Sequence, residues 1–180
     1  FSPADPDLGD LAHEYYYTWG INWSIPSGEK ITGATLTYYN IYDWTTESND
    51  RLYTHLLDNP STGTVSNWDN QNGGDNFSGR GYLVGTWTDN AGGSARNFNL
   101  VYDFAALGLL DELTAYAATS GNPSQANFGF GIDSDCHYYN SNVVFQVTTQ
   151  HAAPEPASMT LLGLGLLGIW KFGKKRSKNV

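Results

Sequence analysis

The chain has 180 residues, 18 of them acidic and 9 basic, with 14% aromatic residues and one cysteine; that length fits one globular domain plus an appendage and is cramped for two. Five of the cations, Lys171, Lys174, Lys175, Arg176 and Lys178, sit in the last ten positions, so residues 1–153 carry 17 acids against Lys30, Arg51, Arg80 and Arg96, a formal −13. So acidic a surface repels phosphate backbones and sets nucleic acid aside as a partner, and a lone Cys136 cannot close an intrachain disulfide.

Abundant Thr, Asn, Gly, Tyr and Trp before the tail favours strands and tight turns. Residues 1–14 hold Pro3 and Pro6 without hydrophobic periodicity and are expected to form an extended lead-in. Tyr15–Ile25 and Ile31–Trp44 predict two strands around the turn Pro26-Ser27-Gly28. In the second, Leu36, Tyr38 and Tyr42 should share one face and Thr35, Thr37, Tyr39 and Ile41 the other. Leu52–Leu57 predicts a third strand. The polar run Ser61–Arg80 predicts a long loop with room for a short strand at Val65–Trp68. Tyr82–Thr88 and Asn97–Phe104 should be strands joined by a hairpin-like connection, Asp89–Gly93. Ala105–Ala118 is the only helix candidate, and Asn127–Ile132 and Val143–Thr149 close the domain as strands. The expected fold is all-β, a two-sheet β-sandwich with the jelly roll among its variants, over residues 15–151, followed by one short transmembrane helix in the segment 152–180.

The tail has three parts in fixed order: Pro154-Glu155-Pro156, the nearly uncharged stretch Ala157–Trp170, and the basic end. Prolines flanking a charge hold an extended, accessible spacer suited to a protease cleft. The leucine-rich stretch contributes roughly −2 to −4 kcal/mol towards insertion. At about 1.5 Å per residue it reaches only about 21 Å against a ~30 Å hydrocarbon core, a marginal anchor whose basic end should stay cytoplasmic. Pro154-Glu155-Pro156-Ala157-Ser158, the leucine/glycine-rich helix and Lys174-Lys175-Arg176 resemble the PEP-CTERM sorting signal of Gram-negative, often exopolysaccharide-producing, bacteria. The resemblance implies recognition by an exosortase, a membrane cysteine protease, with the tail held in the inner membrane until processing and the domain delivered to the envelope or extracellular matrix. The chain opens with Phe1 and its only methionine is Met159, so a secretory signal peptide is expected upstream. Gly163–Gly168 spells G-x-G-x-x-G, but no strand precedes it and no dinucleotide-binding unit can surround it.

Within the domain, Asp43, Glu47 and Asp50 lie within eight residues and repel one another unless a cation sits between them. Calcium, with its six to eight hard oxygen ligands, is the candidate, and Asp133 and Asp135 could complete the site. The plain alternative is two solvated acidic turns. Cys136 and His137 are neighbours that point apart in an extended chain, and scattered His13, His55, His137 and His151 show no zinc spacing. A buried thiol and a capping or stacking histidine are expected instead. Trp19, Trp23 and Tyr38 should fill the interior, whereas Trp68, in the long polar run, is the candidate to face outward and stack on sugar. No G-x-S-x-G, H-E-x-x-H or P-loop occurs. Two functions follow: a non-catalytic surface protein that binds matrix polysaccharide or builds the envelope, or a glycosidase acting on that polysaccharide.

Overall fold

Among the described residues, runs of aromatic and β-branched residues separated by Gly, Asn and Asp turns become ten strands: β1 (Tyr15–Ile21), β2 (Glu29–Tyr39), β3 (Tyr42–Asp43), β4 (Leu52–Asp58), β5 (Gly63–Trp68), β6 (Tyr82–Trp87), β7 (Leu100–Asp103), β8 (Phe128–Ser134), β9 (Tyr138–Tyr139) and β10 (Asn142–His151). The helix α1 (Leu110–Ala117) lies between β7 and β8. The structure, a computed structural model, describes residues 1–43, 45–46, 50–70, 73–93, 98–119 and 121–152. Phe1–Gln150 form one compact unit and His151–Val180 a second. The sorting residues Pro154, Glu155 and Pro156, the apolar stretch Ala157–Trp170, the basic end and Glu47 lie outside the described residues. Among the described residues, no helix is long and apolar enough to cross a membrane.

A five-stranded antiparallel sheet has the order β5-β1-β8-β4-β6; a second sheet runs β10-β2-β7, and β3 pairs with β9. The protein is thus mostly β, in several sheets. At the centre of the larger sheet, every residue of β8 is buried. Its alternation sends Phe128, Phe130 and Ile132 to one face and Gly129, Gly131 and Asp133 to the other. Phe130 meets Phe145 of β10 with ring centroids 4.8 Å apart, and Tyr38 of β2 hydrogen-bonds Thr54 of β4 across 2.9 Å. The two sheets therefore share one core, in which each buried large side chain contributes roughly 1.5–3 kcal/mol. On the opposite face, Gly131 is there because Phe77 is: a Cβ at residue 131 would stand 2.6 Å from the Phe77 ring. Phe77 belongs to the connection between β5 and β6 and is fully buried.

Several expectations need correction. Residues 1–14 are built into the domain. Pro6 accepts from the Val143 amide at 2.7 Å, Ser134 donates to the Leu11 carbonyl at 2.7 Å, and Leu8 and Leu11 are buried. β6 and β7 form no hairpin, since β6 pairs with β4 and β7 with β2, so their connection passes from one sheet to the other. Ile41 faces inward with Leu36 and Tyr38 because Asn40, at φ 52°, turns the chain left-handed and resets the alternation. The helix is shorter than expected, as residues 104–108 form turns before Leu110.

Candidate binding sites

The register of β1 against β5 sets Trp68 opposite Tyr15, Ser66 opposite Tyr17 and Thr64 opposite Trp19. All six belong to the face that elsewhere packs into the core, where Tyr17 and Trp19 are buried. Along β5 this face opens into a groove whose floor carries Tyr15, Tyr17, Thr64 and Ser66 and whose far wall is the segment around Asp5, Leu8 and Gly9. That wall is an unusual piece of backbone. Leu8, Gly9, Asp10 and Leu11 all have positive φ, between 45° and 64°. Three of them carry a Cβ, at roughly 1–2 kcal/mol each, so the turn persists because buried Leu8 and Leu11 anchor it. Beyond Ser66 the same face ends in Trp68, which is 60% exposed and is braced edge-on by Tyr15 at 5.2 Å. Burial raises the Tyr17 hydroxyl to about 12, so it remains a proton donor at neutral pH. The groove thus offers aromatic faces, hydroxyls and the Asp5 carboxylate together.

Trp19 and Tyr38 are buried as expected, and Trp23 is half-buried against Phe128 and Phe1. Val65–Trp68 does lie in a strand, β5.

The acidic residues fall into two groups. Asp43 and Asp50 meet Cys136, with one ligand atom from each lying within 4.8 Å of the others. Asp133 and Asp135 are outside that group and are held by the connection between β5 and β6. Asp133 Oδ2 accepts from the Asn76 amide at 2.7 Å, and Asp135 Oδ1 from the Gly74 amide at 2.8 Å. Asp75 of the same connection reaches His55 Nε2 at 2.9 Å, and Asn76 donates to Asp69 at 3.3 Å. Burial lifts the Asp133 carboxyl to about 6, with the charges of Asp69 and Asp135 adding to it. Desolvation raises Asp135 too, against the opposing charge of Arg51. Among the described residues, Asp43 and Asp50 come together with Cys136, and Asp133 and Asp135 lie outside that group. Asp69, Asp75 and Phe77 escape the sequence reading, which weighs His55 only as a zinc ligand. The signal for them was the acid-glycine run Asp69–Asn76 and the alternating glycines of β8, which mark a close approach.

His137 lies tilted against Tyr139, with ring centroids 4.9 Å apart, and Cys136 is buried and unlinked.

Residues 152–176 match the PEP-CTERM protein-sorting motif. No curated protein and no solved structure matches the chain. The sorting motif suggests an exported protein that crosses a membrane before processing, with an exosortase as its processing partner. It covers the tail alone and leaves the activity of the domain to be argued from the domain.

Proposed function

We propose that the domain is a non-catalytic, polysaccharide-binding module of the cell envelope or extracellular matrix of a Gram-negative bacterium, built as a β-sandwich and released or attached after its tail is processed. The observation that carries this reading is Trp68, 60% exposed at the end of a groove and fixed in orientation by Tyr15. An indole so exposed is suited to stack on a sugar ring, while Ser66, Thr64 and Asp5 provide partners for sugar hydroxyls. A binding role also agrees with the state of the carboxyl best tuned for acid catalysis. Asp133, lifted to about 6, has no exposed surface and accepts from the Asn76 amide, so a glycosidic oxygen could not reach it.

The test is a panel of immobilised bacterial exopolysaccharides and defined oligosaccharides probed with the full chain in detergent micelles. Retention without new reducing ends is expected, and Trp68→Ala should weaken it by roughly tenfold or more, as befits an aromatic anchor. Cleavage of the polysaccharide would replace this reading with a glycosidase. Undiminished retention by the Trp68 variant would move the site elsewhere.

A further inference from the structure

Three separate chain segments converge on Cys136. Asp43 ends β3 and pairs with Tyr138 of β9, and Cys136 stands two residues before Tyr138. The Asp135 amide donates to the Arg51 carbonyl at 2.8 Å, which sets the approach to β4 beside the β8–β9 turn and carries Asp50 towards Cys136. The three side chains are almost wholly buried, at 0% exposure for Asp43, 3% for Asp50 and 2% for Cys136.

Inside this cluster, Asp43 Oδ1 accepts from the Thr45 amide at 3.0 Å and from the Cys136 thiol at 3.4 Å. Asp43 Oδ2 is sealed from solvent and has no hydrogen-bond partner. The Asp50 carboxyl stands close to that of Asp43, which sets two acceptors against each other. The hydroxyl of Tyr138 is likewise buried and without a partner, in a residue that feels the charges of Cys136, Asp50 and Asp43. A buried carboxylate oxygen left unsatisfied destabilises the fold.

We propose that Asp43, Asp50 and Cys136 form a binding site for a divalent transition-metal ion of the zinc type. The donor set decides the class of ion. Calcium takes six to eight oxygens and commonly keeps water, whereas here a sulfur is one of three donors in a closed cluster. Zinc takes four ligands and accepts thiolate and carboxylate together. The three donor atoms lie within 4.8 Å of one another, close enough for one ion to touch all three. Without a cation, the thiol donates to Asp43 Oδ1 at 3.4 Å. A dication reverses that balance: the Sγ proton leaves to solvent, and Asp43 Oδ2 gains the partner it lacks.

The experiment uses the full chain in detergent, stripped with chelator and titrated with Zn²⁺ and, separately, Co²⁺ and Ca²⁺. One zinc retained per chain is expected, together with a near-ultraviolet thiolate-to-cobalt charge-transfer band in the Co²⁺ form. Cys136→Ser should abolish that band, and Asp50→Asn should weaken zinc binding at least tenfold. Trp68→Ala should change neither, so the proposal stands or falls apart from the glycan reading. Failure of the wild-type chain to retain zinc would overturn it. So would a cobalt complex lacking the thiolate band, or a preference for calcium, and these wild-type readouts hold even where a variant folds poorly.

Discussion

At the scale of single residues, Asp133 shows how a buried acid records its surroundings in the pH dependence of stability. Its carboxyl is lifted from the usual 3.8 to about 6, chiefly by burial, with one oxygen accepting from Asn76 and the other unpartnered. The folded chain therefore holds this proton at pH values where the unfolded chain has released it. Below about pH 4 both states are protonated and the group is neutral in effect. As pH rises towards 6 the folded state is progressively penalised, and above 6 the penalty is constant. Asp43 and Asp135 are raised in the same direction. Thermal melts should accordingly show stability falling between about pH 4 and pH 6, by an amount on the order of 1–3 kcal/mol. Asp133→Asn keeps an acceptor for the Asn76 amide and removes the charge, so it should flatten this slope and raise the melting temperature at pH 7.

At the scale of elements, the sequence predicts best where one periodicity acts alone. β4, β6 and β10 fall close to their expected places because their apolar residues alternate between turn-forming clusters. β5 was only a possibility within a loop, since its Thr-Val-Ser-Asn-Trp stretch has little apolar content; it is a strand because β1 supplies a pairing edge. The partners of β6 and β7 could not be read locally. A short polar connection looks the same whether it closes a hairpin or crosses between sheets. Pairing of Asp43 and Asp50 was visible as proximity in sequence, but the arrival of Cys136 depends on where β8 turns into β9. Trp68 was legible because an indole in a polar run has no local hydrophobic partner.

The first fourteen residues carry the clearest test at this scale. An extended lead-in could be altered without cost, whereas Leu11 is wholly buried at the end of the left-handed turn. Leu11→Ala should therefore lower stability by about 2–4 kcal/mol, read from the midpoint and slope of urea unfolding. Loss of that anchor should also weaken glycan retention, because the turn forms a wall of the groove.

For the whole molecule, the tail determines the route and the domain determines what is delivered. Replacing Pro154, Glu155 and Pro156 with alanine should leave an uncut, membrane-bound precursor, detectable by fractionation and by its greater mass. The folded domain should be unaffected, with the same melting temperature once in detergent, because its core is complete within Phe1–Gln150.

Burial of Cys136 has a consequence for the journey as well as for the destination. An exported chain meets oxidants, and its only thiol has no intrachain partner. While unfolded, two such chains can be joined through their sulfurs. Once β3, the approach to β4 and the β8–β9 turn have closed, Cys136 is 2% exposed and is hidden from attack. Covalent dimers in an envelope extract would then be a fossil of chains that met oxidant before they finished folding.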